Sequence, residues 1–320
     1  MPSDRLLVAF SDELFSYDFG PYHPLNRSRT DVFVKRLMEL KARAPEKVEL
    51  VEPATATEEE IALFHTKEYV EFVKLACSPG SKIRYLDYGD TPAYPNCFVR
   101  ASTVVGTTLK LLREIASGRA LRAFNPVGGL HHARRNSAGG FCIFNDAGIA
   151  IEYALRHFGC RAVAYVDIDA HHGDAVYYDF EEDPRVIFFD IHQDGRTLYP
   201  GTGFEYERGK GEALGRKMNV PLPPYSGDEE FLRALEKGLR FLEQFEFDIV
   251  FFQAGADGLA GDPLTSLMYS RRAHESAARA LLELAERKCG GRILAFGGGG
   301  YNPVNVGEAW SAVVEVLAGI

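Results

Sequence analysis

The sequence predicts an α/β fold in which helices cover a central, mostly parallel sheet. Two observations support this: apolar runs recur with amphipathic segments between them, and the runs are continuously apolar, not alternating. Continuous apolar runs are typical of strands buried on both faces of a parallel sheet. Because no Gly/Ser/Pro-rich linker or internal repeat interrupts this order, we expect residues 1–320 to form a single domain.

The elements follow one another in a regular order. Segments 78–97 and 193–227 are rich in Gly, Pro, Asp and Tyr and are predicted to be long surface loops. Two stretches, DEEFLRALEKGLRFLEQF and YSRRAHESAARALLELAERK, space apolar residues as on one face of a helix. Ligands bind beyond the carboxyl ends of strands in open α/β sheets, so we expect the functional site directly after the apolar runs. The predicted strands are RLLVAF, KVELVEP, ALRAFNP, RAVAYVDID, RVIFFDIH, FDIVFFQAGAD and GRILAFGGGG.

Composition narrows the class of protein. The net charge of -9 disfavours nucleic-acid binding and suits a basic substrate. No stretch is apolar enough to span a bilayer, and no basic, apolar leader precedes the first strand, so we expect a cytoplasmic protein without membrane contact. The cysteines are scattered and form no CxxC pair, which predicts reduced thiols. They are Cys77, Cys97, Cys142, Cys160 and Cys289.

The segment AYVDIDAHHGDA indicates a metal site. Side chains two apart in a strand share a face, so Asp167, Asp169 and His171 project together. Asp257 ends another apolar strand, and two carboxylates with an imidazole suit Zn²⁺, or Fe²⁺ or Co²⁺. Three protein ligands with an open position are typical of catalytic zinc. The alternative is that Asp169 and His171 cap the following helix or pair with basic residues.

A pair of histidines, His131 and His132, follows two glycines after the strand ALRAFNP. Adjacent histidines do not easily share one metal, but they can flank a water molecule at a metal site. Each then needs a carboxylate to fix its tautomer, and Asp167 and Asp174 are the acids left over beside the expected ligands. The alternative for such a pair is a surface or structural role.

The last predicted strand ends in FGGGGYN. The glycines let the backbone pass close to a ligand, and Tyr301 follows them. No G-x-G-x-x-G opens a helix here and no Lys-Ser/Thr follows, so a phosphate loop is disfavoured. Of the remaining histidines, we expect structural roles for His23 and His65 and exposure for His157 and His274 on their helices.

Together these motifs resemble the arginase/deacetylase superfamily, and within it the histone deacetylase-like proteins, most of all the bacterial acetoin utilization proteins. The resemblance covers nearly the whole chain and implies a three-layer α/β/α fold around about eight strands. The motifs, in the order typical of the family, are HPLNRSR, LFHTKEYV, GDTPAY, GGLHHARRNSAGGFCIFNDAGIAI, VDIDAHHGDA, YPGTG, QAGADGLAGDPL and GGGGYN.

The resemblance also implies roles for individual residues. It assigns zinc to Asp169, His171 and Asp257. It makes His131 and His132 the paired histidines, with Asp167 and Asp174 behind them. Potassium is expected on backbone carbonyls around the zinc ligands. The implied substrate contacts are Tyr301 on the acetyl oxygen, Gly140, Phe141 and Tyr199 in a tunnel wall, Asp90 at the rim and Arg29 in an inner acetate pocket.

The chain departs from the family pattern at three positions. Ala175 replaces a usual Gly, Tyr199 stands where Phe is common, and Asp190 stands where many relatives carry Ser beside the potassium site. The arginase-like branch is disfavoured, because Gly173 and Leu259 occupy positions where it has ligands for a second metal.

The implied reaction is removal of the acetyl group from N6-acetyl-lysine of proteins, with release of acetate. One histidine of the pair acts as the base and one as the acid, and the residues do not distinguish them. One alternative is an amidohydrolase for acetylpolyamines or other small molecules with the same metal site. Another is a non-catalytic sensor of acylated ligands. The oligomeric state is left open.

Overall fold

Eight parallel strands form one sheet at the centre of the molecule, as seen in a computed structural model that describes residues 3–320. The strands are β1 (Ser3–Ala9), β2 (Val48–Val51), β3 (Ala120–Asn125), β4 (Val163–Asp167), β5 (Val186–Gln193), β6 (Lys217–Leu222), β7 (Val250–Gln253) and β8 (Ile293–Phe296). Their order in the sheet is β2-β1-β3-β8-β7-β4-β5-β6. This confirms the predicted α/β fold with a parallel sheet of eight strands.

Helices connect the strands and pack on the sheet in two groups. They are α1 (Asp31–Arg43), α2 (Glu58–Ile61), α3 (Lys67–Ala76), α4 (Cys97–Ala116), α5 (Asp146–His157), α6 (Asp174–Asp179), α7 (Asp228–Leu242), α8 (Arg271–Cys289) and α9 (Pro303–Ala318). In one group α1 packs on α9, α9 on α8 and α8 on α7, while in the other α4 packs on α5 and α5 on α6. Among the described residues, no helix is both long and apolar enough to cross a bilayer.

The central strands are buried along their whole length. Every residue of β4, β5, β7 and β8 is inaccessible to solvent, which explains why their sequences are continuously apolar. The neighbours β3, β8, β7 and β4 all point the same way, so the loops after them meet at one edge of the sheet.

One strand lies where the sequence predicts a loop. Strand β6 falls inside segment 193–227 and pairs with β5 at the edge of the sheet. Its sequence includes Lys217, Asn219 and Pro221, and proline is tolerated only because an edge strand can spare a ladder donor. The Lys217 ammonium is nevertheless buried, and it donates to the carbonyls of Asp183 and Val186. Because β6 contains these polar residues, it has no continuous apolar run, and the sequence pattern did not predict it as a strand.

The prediction of five reduced thiols is wrong at two positions. Cys77 directly follows α3, Cys97 begins α4, and the two form a disulfide with 5.5 Å between their Cα atoms. The bond closes a loop that carries Asp90. Proximity of this kind arises from how the two helix ends pack, and sequence spacing does not reveal it. The free cysteines of the described chain are Cys142, Cys160 and Cys289.

Candidate active site

Three buried side chains, Asp169, His171 and Asp257, converge at the carboxyl edge of the sheet. Their potential ligand atoms all lie within 4.8 Å of one another. His171 Nδ1 is 2.9 Å from Asp257 Oδ2 and 3.2 Å from Asp169 Oδ1. Burial alone would lower the pKa of His171, but hydrogen bonds to the two carboxylates and their charge outweigh it and raise the pKa to about 10. Two buried carboxylates and an imidazole crowded in this way are a donor set that fits a divalent cation.

Hydrogen bonds of the segment after β4 position the side chains of Asp169, His171 and Asp257. Asp167 Oδ1 accepts from the Asp169 N–H at 3.0 Å, and Asp169 Oδ1 accepts from the His171 N–H at 3.0 Å. The Ala170 N–H donates to Asp257 Oδ1 at 2.8 Å, which ties this segment to the end of β7. These side-chain-to-backbone hydrogen bonds, and not the strand itself, hold Asp169 and His171 beside Asp257 in the turn after β4.

The glycine turn after β8 passes directly over the carboxylates. The Gly299 N–H donates to Asp169 Oδ2 at 2.7 Å. A Cβ atom on Gly299 would lie 2.3 Å from Asp257 Oδ2 and 2.7 Å from Asp169 Oδ2, closer than any side chain tolerates. The turn therefore needs glycine because the backbone itself lines the cluster.

The two histidines of the pair lie side by side and have different environments. His131 Nδ1 is 2.8 Å from Asp167 Oδ2, and His132 Nδ1 is 2.6 Å from Asp174 Oδ1. Burial alone would lower the pKa of His131, but the charges of Asp167 and Asp169 raise it to about 9. Burial, helped by the positive charge of His131, lowers the pKa of His132 to about 4, although the hydrogen bond that His132 donates to Asp174 opposes this shift. The pKa values of these two adjacent histidines are therefore shifted in opposite directions by their surroundings.

A cavity of about 220 Å³, which we call the tunnel, leads to the cluster. Tyr301 lines it, and its backbone N–H donates to Asp262 Oδ2 at 2.8 Å. Burial and the nearby carboxylates Asp257 and Asp169 raise the pKa of Tyr301, so its hydroxyl keeps its proton. The tunnel is lined by Asp90, His132, Gly140, Phe141, His171, Leu198, Tyr199, Leu264 and Tyr301.

Arg29 lies behind the glycine turn. Its guanidinium donates to the carbonyls of Gly298 and Gly300, at 3.1 and 2.8 Å, and stands 5.3 Å from the ring centroid of Trp310. The side chain is buried. This places a fixed positive charge behind the turn, on the inner side of the cluster.

Asp190, the acid that replaces a common serine, has both oxygens occupied. Oδ2 accepts from the Gly173 N–H at 2.8 Å, and Oδ1 is 2.6 Å from His192 Nδ1. Burial alone would lower the pKa of His192, but Asp190 raises it. The carboxylate of Asp190 is thus paired with the buried imidazole of His192.

Two supporting residues were missed or misjudged from the sequence. Asp146 accepts from the N–H groups of Gly129 and Leu130, each at 2.9 Å, and so shapes the turn before the histidine pair. The expectation that His274 is exposed is wrong, because its ring is buried and its Nε2 lies 2.8 Å from the carbonyl of Gly255. Asp146 begins a helix, as many acids do, and His274 lies on the buried face of α8 in a sequence that also carries Arg272 and Glu275, so neither gave a distinct signal.

Comparison with known proteins identifies the family. The family model described as the histone deacetylase domain matches residues 23–317. The chain belongs to the histone deacetylase family. Within this family it is similar to the acetoin utilization protein AcuC of Bacillus subtilis, at 38% identity over 318 residues that cover 97% of this chain and 81% of that protein. AcuC of Staphylococcus aureus strain MRSA252 is 35% identical over 316 residues, which cover 97% of this chain and 80% of that protein.

A solved histone deacetylase structure has the same fold. The crystal structure of the HDA15 HD domain superposes with a TM-score of 0.85 at 26% identity, covering 98% of this chain and 88% of that one. Family membership and this superposition confirm both the resemblance found in the sequence and the arrangement of layers. The chain is thus an AcuC-like hydrolase of the histone deacetylase family.

Proposed function

We propose that this protein is a zinc-dependent lysine deacetylase that removes acetyl groups from N6-acetyl-lysine of proteins and releases acetate. The observation that carries the proposal is the buried cluster of Asp169, His171 and Asp257, which meets the tunnel through His171, beside His132 and Tyr301 in the tunnel wall. A tunnel of about 220 Å³ suits one extended side chain better than a bulky ligand. We further propose that residues 1–320 serve this site as one domain.

Asp169, His171 and Asp257 would hold the metal, with Fe²⁺ or Co²⁺ as alternatives to Zn²⁺. When bound, such an ion supplies Lewis-acid chemistry, polarising a carbonyl and lowering the pKa of a coordinated water toward about 7. A structural K⁺ beside the backbone carbonyls of this segment is part of the proposal, with Asp190 and His192 as its neighbours.

His132 is the group we propose as the general base. Its Nδ1 is engaged by Asp174, so Nε2 is the nitrogen left for the tunnel, and a pKa of about 4 keeps that nitrogen unprotonated at neutral pH. It takes a proton from the attacking water, and the resulting imidazolium is acidic enough to pass the proton to the amine nitrogen as the C–N bond breaks. His131 does not line the tunnel, so its proposed role is to keep a positive charge beside the reacting atoms, stabilised by Asp167.

Tyr301 is proposed to stabilise the negative charge that develops on the acetyl oxygen. Its raised pKa keeps the hydroxyl protonated, so it can donate a hydrogen bond when the carbonyl carbon becomes tetrahedral. Phe141 and Tyr199, both in the tunnel wall with Gly140, would flank the methylene chain of the lysine.

Substrate contacts at the two ends of the tunnel complete the proposal. The exposed Asp90 at the mouth would accept hydrogen bonds from the peptide backbone of the substrate. Arg29, buried behind the glycine turn, would attract the acetate product.

Acetate release from zinc-loaded protein tests the function. An acetyl-lysine peptide is compared with N-acetylputrescine and acetylspermidine at matched concentrations, with Tyr301→Phe as the inactive control. Faster turnover of the peptide is the expected result. Preference for the polyamines would favour the second candidate function, which the net charge of -9 supports because it attracts cations. Zinc binding without any turnover would identify a non-catalytic sensor.

A further inference from the structure

The wall residue Phe141 has a backbone conformation that few side chains adopt. It follows Gly140 in a tight turn in which the Gly139 and Cys142 backbones bond to each other, at 2.9 and 3.2 Å. Both central residues have positive φ, +52° at Gly140 and +69° at Phe141. Such turns usually carry Asn or Gly at these positions, because a Cβ atom is strained there. A phenylalanine with this backbone conformation must be stabilised by contacts with the surrounding structure, and strained residues of this kind are typical of functional sites.

Two hydroxyl groups hold the backbone of Phe141 from opposite sides. Its N–H donates to Thr91 Oγ1 at 3.2 Å, and its carbonyl accepts from the Tyr17 hydroxyl at 2.9 Å. The Tyr17 oxygen in turn accepts from the Ile143 N–H at 3.2 Å. Burial raises the pKa of Tyr17, so this hydroxyl stays a donor. Both polar groups of the strained peptide unit are therefore satisfied by side chains from other segments.

The Thr91 hydroxyl also connects the wall to the loop at the mouth. It donates to Asp87 Oδ2 at 2.6 Å, which leaves its lone pairs to accept from Phe141. Asp87 Oδ1 accepts from the N–H groups of Gly89, Asp90 and Thr91, each at 2.9 Å. A single carboxylate thus organises the loop that carries Asp90 and, through Thr91, the turn that carries Phe141.

The ring of Phe141 is placed by this network against two functional neighbours. Its centroid lies 5.8 Å from that of Tyr301, edge to face, and 4.6 Å from that of His23. His23 reaches the same loop, with Nε2 3.2 Å from the carbonyl of Asp90, while its Nδ1 accepts from the Leu25 N–H. Movement of Phe141 would therefore open the tunnel wall and remove the surface against which Tyr301 packs.

We propose that Thr91 and Tyr17 are positioning residues for substrate specificity: their hydroxyls hold Phe141 in its strained conformation and couple the tunnel wall, through Asp87, to the loop of Asp90. The inference rests on the proposed function, because it takes Phe141 as the wall that contacts the substrate chain. Neither hydroxyl takes part in the chemical step. Their contribution is to binding of the methylene chain, which is similar in the ground and transition states and so affects KM more than kcat.

The test replaces Thr91 by an isosteric residue without a hydroxyl. Thr91→Val removes both the acceptor of the Phe141 N–H and the donor to Asp87, and it is expected to raise KM for an acetyl-lysine peptide about five- to tenfold. Thr91→Ser keeps the hydroxyl and should restore KM to within about twofold. In a Phe141→Ala background there is no ring to position and only the effect through the Asp87 loop remains, so Thr91→Val should then raise KM by clearly less than in the unmodified protein, about two- to threefold at most. An equal effect in both backgrounds would show that Thr91 acts elsewhere and would overturn the proposal.

Amide hydrogen exchange provides a readout that needs no turnover. Thr91→Val should speed exchange of the Phe141 amide, and Tyr17→Phe that of the Ile143 amide, each by roughly tenfold or more, while amides of β4 stay protected. Unchanged exchange at both amides would refute the holding role. If the unmodified protein releases acetate from no acetylated amine, the proposed function fails, but faster exchange in these variants would still support the positioning of Phe141.

Discussion

Asp174 bonds to His132 at 2.6 Å, and this contact opposes the burial and the neighbouring positive charge that lower the pKa of the imidazole. The bond fixes the tautomer, because Nδ1 is the nitrogen that Asp174 engages and Nε2 is the one that faces the tunnel. His131 has an equivalent partner in Asp167, yet its pKa moves the other way because a second carboxylate, Asp169, is near. The division of roles between the two histidines thus follows from their carboxylates.

Asp174→Asn should weaken the base. Removing the negative charge disfavours the imidazolium, so the pKa of His132 falls further below its value of about 4, and the acid limb of kcat/KM against pH moves to lower pH. We expect kcat at neutral pH to fall roughly ten- to hundredfold. Asp183→Asn, which removes a carboxylate paired with Arg185 away from the tunnel, is the charge-matched control. An acid limb that does not move would exclude His132 as the titrating base.

Tyr301→Phe should lower kcat at least a hundredfold with little change in KM. The lost hydroxyl donates only as charge develops on the acetyl oxygen, and removal of one such donor typically costs roughly a hundred- to a thousandfold in kcat. Steady-state kinetics with zinc content measured in parallel checks this. Near-normal turnover at equal zinc content would contradict the assigned role.

Asp257→Ala should abolish stoichiometric zinc binding. It removes one of three ligands from a buried cluster and leaves His171 without one of its two carboxylates. Elemental analysis after dialysis should find about one zinc per unmodified chain and almost none in the variant. Asp12→Ala, which changes an exposed acid that pairs only at the surface, should retain zinc. Zinc should also raise the melting temperature of the unmodified protein, because the ion binds the folded state. Full zinc occupancy in Asp257→Ala would refute the ligand set.

Breaking the Cys77–Cys97 disulfide should destabilise the protein. Closing a loop of this length, 20 residues apart in sequence, removes about 3 kcal/mol of conformational entropy from the unfolded chain. For a chain of this size, that corresponds to a melting temperature lower by roughly 4 °C. Cys77→Ser with Cys97→Ser should show this drop, whereas the half-exposed Cys160→Ser should not. Identical melting of the oxidised protein and the double variant would contradict the expectation.

The sequence could predict those site residues that belong to short motifs or that directly follow a predicted strand. Asp169 and His171 stand two apart directly after a predicted strand, which was enough to predict that they lie together, although the structure ends β4 at Asp167 and holds both residues in a turn through side-chain-to-backbone hydrogen bonds. Asp257 lies almost 90 positions later, and only the rule that parallel strands share a carboxyl edge brings it close. The identity of the partner acids followed in the same way, since they stand beside the ligands.

The parts that sequence could not predict depend on contacts between distant segments. Tyr17 and Thr91 touch Phe141 across 124 and 50 positions, and although Thr91 lies in the GDTPAY motif, no sequence pattern assigned a role to either side chain. The sequence predicts His274 to be an exposed helix residue because charged residues such as Arg272 and Glu275 lie close to it along α8, although its own face is buried. The edge strand β6 lacks the continuous apolar run that marks the central strands. In each of these cases the structure depends on packing between segments that are distant in sequence, and local sequence patterns do not record such packing.

The place of β8 in the sheet has a consequence for how the site forms during synthesis. This last strand lies between β3 and β7, which precede it by far in the chain, and it ends in the glycine turn that contacts Asp169. Two halves of the sheet can therefore pair internally while the ribosome is still at work, but they are joined only when β8 inserts between them. Folding is slow when contacts join residues that are distant in sequence, as the pairing of β3 with β8 does. A chain in which β8 has not yet inserted would hold Asp169 and Asp257 without the glycine turn that packs over them, so we expect the cluster to be enclosed only once β8 is in place.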